Sequence, residues 1–240
     1  MRPKQSYTIW FSQRTGSTLL CEALKSTGVA GNIGELLHGV DPHAINKDTM
    51  EHVWKAGTTP NGVFGIKLNY DQSLVDAFRK LYALPDTAPT AEVWSAAFPG
   101  STKHIFMTRR NKVRLAVSWW RAIVSGEWHR QHGAKPQEHE LADQYKFEAI
   151  RHLVEECMLR EVAIEDFMTA NGIVPMTIVY EDFIQDYEGT VLKVLDFLEV
   201  KPDNVTIASP AFDRLADDTS EQWVQRYRRE VQQSYERKAW

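Results

Sequence analysis

Residues 6–11 of the chain read SYTIWF, residues 12–18 read SQRTGST, and apolar residues then recur at helical spacing over residues 19–28. An apolar run, a short polar loop and an amphipathic stretch in this order predict a strand, a tight loop and a helix. In such a unit the loop and the first helical turn direct unpaired backbone N–H groups at one point, where the helix dipole adds about half a positive charge. The loop is therefore expected to bind an anion such as a phosphate group.

The polar loop carries the residue types that hold a phosphate-like group. Gly16 lets the backbone approach an anion closely, and Ser17 and Thr18 offer hydroxyl donors. Arg14 adds a fixed positive charge. The loop is not a Walker A sequence, because serine rather than lysine follows the glycine, and an ordinary ATPase or GTPase is disfavoured. Taken alone, the loop is also compatible with an ordinary capped helix start.

A second strand-to-helix junction occurs near the middle of the chain. Residues 103–108 (KHIFMT) predict a strand that runs into Arg109 and Arg110. Asn111 starts the next helix, which carries Ser118. A guanidinium group and a hydroxyl at the carboxyl edge of a parallel sheet predict a second phosphate site. The alternative is that the paired arginines cap a surface strand and that the serine is incidental.

The glycine-punctuated loop at residues 28–38 (GVAGNIGELLH) carries a candidate general base. A carboxylate at the edge where α/β sheets place their chemistry can accept the proton of an attacking hydroxyl group. Glu35 is that candidate. Two alternatives stay open: Glu35 begins a short helix as an N-terminal carboxylate, or His38 is the base.

A lysine interrupts the apolar run VFGIKL at residues 63–68, which predicts another strand. A lysine in a buried strand needs an ionic partner or a pocket. A lysine near a strand end can also extend its ammonium group to solvent. Lys67 is therefore a candidate site residue with a structural alternative.

Composition narrows the class of protein. With 240 residues and 43% hydrophobic content, residues 1–240 are expected to form a single domain. The net charge of −4 argues against nucleic-acid binding. No apolar run has the length of a signal peptide or a membrane span, so a cytoplasmic protein is expected.

Cys21 and Cys157 are expected to be buried and free. The histidines of the polar segment at residues 126–140 lack metal-ligand spacing, and no metal is expected.

Several motifs together resemble one family. The loop at residues 12–20 resembles the 5′-phosphosulfate loop of sulfotransferases that use 3′-phosphoadenosine 5′-phosphosulfate (PAPS), in particular the bacterial Stf0 family. Residues 110–118 resemble the 3′-phosphate motif, in which an arginine precedes a serine by eight residues. Residues 30–35 and 65–68 resemble the Stf0 segments that carry a glutamate and a lysine. Residues 214–223 resemble the terminal Stf0 segment.

This resemblance implies an α/β fold with a P-loop-like central parallel sheet flanked by helices, as in sulfotransferases. It implies PAPS as donor, PAP (3′,5′-ADP) as product, a carbohydrate or glycolipid as acceptor, and a homodimer. The implied catalytic residues are Glu35 as base with Arg14 and Lys67. The implied nucleotide-binding residues are Ser12, Gln13, Arg14, Thr15, Gly16, Ser17, Thr18, Arg109, Arg110, Ser118 and Arg214, with Arg110 favoured over Arg109 for the 3′-phosphate.

Two other functions stay open on the sequence. A P-loop small-molecule kinase is disfavoured by the absent Walker lysine and by the absence of an evident magnesium-binding acid after a strand. A non-catalytic PAPS- or PAP-binding protein is disfavoured by Glu35 and Lys67, and a turnover assay distinguishes it from an enzyme.

Overall fold

A four-stranded, wholly parallel β-sheet forms the centre of the fold in the computed structural model, which describes residues 2–135, 141–201 and 205–239. The strands are β1 (Gln5–Phe11), β2 (Val63–Leu68), β3 (Ser101–Thr108) and β4 (Met176–Val179), arranged in the order β2-β1-β3-β4. The predicted α/β class with a parallel sheet is confirmed. Because the chain leaves β1 for β2 on one side and later adds β3 on the other, the strand order reverses at the carboxyl end of β1. Open α/β sheets bind ligands at such a switch point.

Helices connect and cover the strands. Their bounds are α1 (Ser17–Ser26), α2 (Lys47–Gly57), α3 (Gln72–Leu81), α4 (Thr90–Ala97), α5 (Lys112–Ser125), α6 (Phe147–Ala170), α7 (Tyr180–Phe183), α8 (Tyr187–Phe197) and α9 (Asp218–Gln232). Short 3₁₀ turns lie at Pro42–Ala44 and Ala142–Gln144. Within the described ranges, no helix has the length and apolar character needed to cross a membrane.

Strand β1 is buried on both faces, which explains its nearly continuous apolar sequence. Trp10 faces a core cluster shared with α2, α3, α4 and the end of α6, whereas Ile9 and Phe11 face a cluster shared with α1 and α8. A third cluster joins α5, α6 and α9. Cys21 and Cys157 are buried and free, as the sequence predicted.

Helix α9 begins within the terminal motif at residues 214–223. Its first residue is Asp218, and Asp217 caps it. The Asp217 carboxylate accepts the backbone N–H of Ser220 at 2.9 Å, and the Ser220 hydroxyl accepts the backbone N–H of Asp217 at 3.3 Å. Asp217 and Ser220 of the terminal motif thus form a reciprocal capping box. Of the polar segment at residues 126–140, residues 136–140 lie outside the described part of the chain.

Candidate active site

A cavity of about 980 Å³ opens at the carboxyl edge of the sheet, beside the loop between β1 and α1. Its walls include most of the site residues predicted from the sequence: Gln13, Arg14, Gly16, Ser17, Thr18, Glu35, Lys67, Arg109, Ser118 and Arg214. Ser12, Thr15 and Arg110 do not line it. Residues from both predicted phosphate motifs and the candidate base therefore lie around one space.

Gly16 determines how closely the loop packs below the cavity. It caps α1 in the left-handed conformation, with φ of 81°. A Cβ atom at this position would lie 2.6 Å from the ring of Tyr180, so only glycine fits both the backbone conformation and the contact. The first turn of α1 therefore presents its backbone N–H groups at the floor of the cavity.

Ser12 and Thr15 do not line the cavity but stabilise the loop through hydrogen bonds of their side chains. The Ser12 hydroxyl donates to Oε1 of Glu161 at 3.1 Å, and the Thr15 hydroxyl donates to the Ser12 carbonyl oxygen at 2.8 Å. Both side chains are fully buried. Their hydroxyl groups are thus committed to protein partners, which gives the two side chains a supporting position; the anion contacts expected for these two residues stay predictions.

Arg14 connects three parts of the site. Its Nε donates to the Ser118 hydroxyl at 3.0 Å, and its Nη1 donates to the carbonyl oxygen of Trp128 at 2.5 Å. Burial lowers the pKa of Arg14 to about 10, and the nearby positive charge of Arg109 acts in the same direction. The two predicted phosphate motifs therefore meet directly through Arg14 and Ser118.

Arg109, not Arg110, faces the cavity. The Arg109 side chain is largely buried, and its guanidinium lies 4.7 Å from the centre of the Tyr180 ring. Its buried Nε forms an ion pair with Oε1 of Glu181 at 3.8 Å but has no hydrogen-bond partner among the described residues. Burial lowers the pKa of Arg109; Tyr180 and Glu181 oppose this shift, and Arg214 and Arg114 add to it. A buried guanidinium that faces a cavity, has two further arginines nearby and has only a 3.8 Å ion pair at its Nε has the properties of an anion-binding group.

Arg110 does not line the cavity. The sequence spacing favoured Arg110 over Arg109 for the 3′-phosphate, and the structure favours the opposite choice. Its side chain is 58% exposed and forms a two-pronged pair with Asp182, with contacts of 2.8 and 2.5 Å. Its backbone N–H donates to Glu181 at 3.0 Å. The geometry therefore favours Arg109 as the ligand of the second anion.

Two further arginines, missed by the sequence interpretation, line the cavity from α5. Arg114 and Arg121 lie on the same helix face as Ser118, at spacings of four and three residues. Arg114 pairs with Glu221 at 2.5 Å, and Arg121 pairs with both oxygens of Asp217 at 2.7 and 2.9 Å. These pairs hold the start of α9 against α5. The helical position of Ser118 was the signal that could have identified both residues.

The candidate base and the candidate cation form an ion pair at the wall of the cavity. Nζ of Lys67 lies 2.8 Å from Oε1 of Glu35 and donates to the Thr18 hydroxyl at 2.9 Å. Lys67 is 3% exposed, so the structural alternative of an ammonium group extending to solvent is not realised. The Lys67 backbone N–H also donates to the Gly34 carbonyl oxygen at 3.0 Å, which fixes the loop that carries Glu35.

The loop of Glu35 can approach β2 this closely because of Gly31. Gly31 has φ of 85°, and a Cβ atom there would lie 2.7 Å from the backbone nitrogen of Gly65. Glu35 immediately precedes the turn at residues 36–39, and its carbonyl oxygen accepts the backbone N–H of His38 at 2.9 Å. No helix begins at Glu35, so the helix-start alternative is wrong. His38, the alternative base, lies 3.8 Å from Glu35 with a side chain that is 82% exposed.

Aromatic side chains form part of the cavity wall. This aromatic wall includes Trp128, His129 and Phe212, and the last two rings lie 4.9 Å apart. An antiparallel bridge between Gln131 and Phe212 joins the two segments that carry these rings. No sequence motif identified this wall, because its two segments are about eighty residues apart. Among the described residues, no group of three or more His, Cys, Asp or Glu side chains has the arrangement of metal ligands.

Comparison with known proteins identifies the family. A family model described as Stf0 sulphotransferase matches residues 6–49 and 38–230. Trehalose 2-sulfotransferase of Mycobacterium tuberculosis is 28% identical over 264 residues, covering 96% of this chain and 97% of that protein. Trehalose 2-sulfotransferase of Mycolicibacterium smegmatis is 27% identical over 261 residues, covering 95% of this chain and 96% of that protein.

A solved structure shows the same fold. The crystal structure of a sulfotransferase from Alicyclobacillus acidocaldarius superposes with a TM-score of 0.54 at 17% identity, covering 97% of this chain and 95% of that one. The resemblance drawn from the sequence motifs is confirmed by the family match, which runs from the first strand into the last helix. The chain belongs to the Stf0 sulphotransferase family.

Proposed function

We propose that this protein transfers a sulfuryl group from PAPS to a hydroxyl group of a carbohydrate, with Glu35 as the general base. The observation that carries the proposal is the Glu35–Lys67 ion pair at the wall of the cavity. Residues of both predicted phosphate motifs line the same cavity. Membership of the family gives the reaction class. The residues around the cavity support PAPS as the donor and Glu35 as the general base.

The cavity suits a nucleotide with phosphates at two positions. Its volume of about 980 Å³ lies at the upper end of the range for small-molecule sites. The backbone N–H groups of α1, with Ser17 and Thr18, would hold the 5′-phosphosulfate. Arg109 and Ser118, with Arg214 nearby, would hold the 3′-phosphate, where the Nε of Arg109, which has no hydrogen-bond partner within the described part of the chain, would gain an acceptor.

The reaction that follows from this arrangement needs no protein nucleophile. The acceptor oxygen forms a bond to sulfur, the bond between sulfur and the bridging 5′-phosphate oxygen breaks, and the products are a sulfate ester and PAP. Glu35 takes the proton of the acceptor hydroxyl. Lys67, Thr18 and Arg14 stabilise the negative charge on the transferred group and on the leaving oxygen.

The carbohydrate acceptor is proposed from the two relatives named Trehalose 2-sulfotransferase. The aromatic wall supports this choice, because flat rings with polar edges such as Trp128 suit the mixed apolar and polar surface of a sugar. Glu35 is half exposed in the same cavity, so an acceptor hydroxyl can reach it.

The test is a transfer assay with purified protein, PAPS and a panel of acceptors: trehalose, other disaccharides and a phenol. Mass spectrometry of the products should show a sulfated disaccharide formed together with an equal amount of PAP. Sulfation of the phenol alone would contradict the proposed acceptor class. PAPS left intact with every acceptor would contradict the proposed reaction.

A further inference from the structure

A buried carboxylate on α6, outside the cavity wall, joins the two anion-binding segments. Glu161 is 8% exposed and lies in the middle of the 24-residue helix. Its Oε1 accepts from the Ser12 hydroxyl at 3.1 Å. Its Oε2 accepts from the Thr108 hydroxyl at 3.1 Å and from Nζ of Lys112 at 2.5 Å.

The three partners of Glu161 belong to different parts of the nucleotide site. Ser12 begins the loop that leads to Gly16 and α1. Thr108 ends β3, immediately before Arg109, and Lys112 is the first residue of α5, the helix of Ser118. Lys112 also donates to the Thr108 hydroxyl at 2.9 Å, so the contacts form one closed network.

Burial of a carboxylate is costly unless charge and hydrogen bonds compensate it. Here an ammonium group and two hydroxyl groups provide that compensation, so each partner is held at a fixed distance from one carboxyl group. The neighbouring residue adds a second link from the same helix, since Nη1 of Arg160 donates to Oε1 of Gln13 at 2.5 Å. Helix α6 therefore contacts the loop at residues 12–18 twice, through Ser12 and Gln13, and the segment at residues 108–112 twice, through Thr108 and Lys112.

We propose that Glu161 is a positioning residue that fixes the spacing between the two anion subsites. The inference rests on the proposed function, because it assumes that one ligand carries phosphates to both subsites. A ligand held at both ends gains affinity from the correct spacing, as linked binding groups do. A ligand held at one end gains nothing from it.

The experiment measures binding of PAP, 5′-AMP and 3′-AMP by calorimetry to the full-length protein and to Glu161→Gln. The variant should bind PAP about tenfold more weakly, within the coupling range of contacting groups in one network, while its affinity for each monophosphate changes less than about threefold. Glu165→Gln, with the same charge change on an exposed position of α6, is the matched control and should bind all three ligands as the wild type does.

Ser12→Ala gives a second and milder probe, because it removes one hydrogen bond and leaves the Glu161–Lys112 pair in place. It should shift PAP affinity in the same direction by a smaller factor, again with little effect on 5′-AMP and 3′-AMP. This variant decides the question if Glu161→Gln does not fold.

If the variant lost affinity equally for PAP and both monophosphates, or lost no affinity for PAP, the positioning role would be overturned. The proposed function would stay intact. Failure of the wild-type protein to bind PAP would instead remove the proposed function, and this inference with it. A uniform structural weakening cannot produce the predicted result, because it lowers the affinities of all three ligands together.

Discussion

Nζ of Lys67 lies 2.8 Å from Oε1 of Glu35, and the same ammonium group donates to the Thr18 hydroxyl at 2.9 Å. The ammonium is buried against the ring of Phe11, whose centre is 4.5 Å away. A single cation therefore contacts both the candidate base and the loop that would hold the donor. Under the proposed function, this contact would place the proton acceptor beside the group whose leaving oxygen gains charge.

Replacing Glu35 by Gln should lower kcat by roughly 10² to 10⁴, the usual contribution of a positioned general base. PAP affinity should stay within about threefold of wild type, because the amide oxygen still offers Lys67 an acceptor. Steady-state kinetics and PAP calorimetry on the same preparations measure both effects. His38→Ala is the comparison: if it lowers kcat as much as Glu35→Gln does, the assignment of the base is wrong.

Substitutions of Arg109 and Arg110 should have very different effects on PAP affinity, although the two residues are adjacent in the sequence. Arg109→Met removes a buried guanidinium that faces the cavity and should weaken PAP binding roughly ten- to hundredfold, as expected for a charge-assisted contact. Arg110→Met removes an exposed surface pair with Asp182 and should change PAP affinity less than about threefold. Calorimetry with both variants checks this, and a larger loss for Arg110→Met would restore the preference drawn from sequence spacing.

Gly16→Ala should destabilise the protein and weaken nucleotide binding. The new methyl group would lie 2.6 Å from Tyr180, whose ring also contacts Arg109, and alanine would be held at a φ of 81°. Gly28→Ala is the matched control, since Gly28 has φ of 67° but no atom of the described residues lies within 4 Å of the added carbon. The control should lose about 1 kcal/mol of unfolding free energy from backbone strain, and Gly16→Ala more than that.

Urea unfolding distinguishes the two substitutions, and PAP calorimetry adds a second measurement that only the Gly16 change should affect. Equal losses of stability in the two variants would mean that the contact with Tyr180 imposes no steric restriction at Gly16.

His104 should make the fold sensitive to acid. It is 6% exposed, and its Nδ1 accepts the indole N–H of Trp10 at 3.0 Å, which requires an unprotonated nitrogen. Burial lowers the pKa of His104 to about 4 from its ordinary value of 6.5. Between these values the unfolded chain binds more protons than the folded one, so stability is complete above about pH 6.5 and is lost as the pH falls toward 4.

From pH 7.5 to pH 5, His104 should cost the wild type about 2 kcal/mol of unfolding free energy. His104→Asn keeps an acceptor for Trp10 but does not titrate. Urea unfolding of both proteins at the two pH values should give the wild type a decrease that is larger than the variant's by that amount. Parallel decreases in the two proteins would exclude His104 as the source of acid sensitivity.

The sheet and the first phosphate loop could be predicted because their signals are local. The apolar run at residues 6–11 and the Gly-Ser-Thr turn are contiguous, and β2 and β3 likewise appear as short apolar runs. Lys67 could be singled out because a lysine inside such a run needs a partner. Its actual partners, Glu35 and Thr18, become neighbours only when β2 pairs with β1.

The choice between Arg109 and Arg110 could not be made from spacing. It depends on Glu181 and Asp182, which are some seventy residues away and draw Arg110 to the surface. Glu161 gave no signal at all, because its partners lie in two segments, at Ser12 and at residues 108–112, that are both far from it in the sequence. The single domain, the homodimer and the cytoplasmic location stay predictions.

The most direct test of the central claim is calorimetric titration of the purified protein with PAP and, separately, with ATP and magnesium. If the cavity holds a nucleotide by its 3′- and 5′-phosphates, PAP should bind more tightly than ATP by roughly tenfold or more, because ATP has no group for Arg109 and Ser118. Tighter binding of ATP with magnesium than of PAP would contradict the account and favour a kinase.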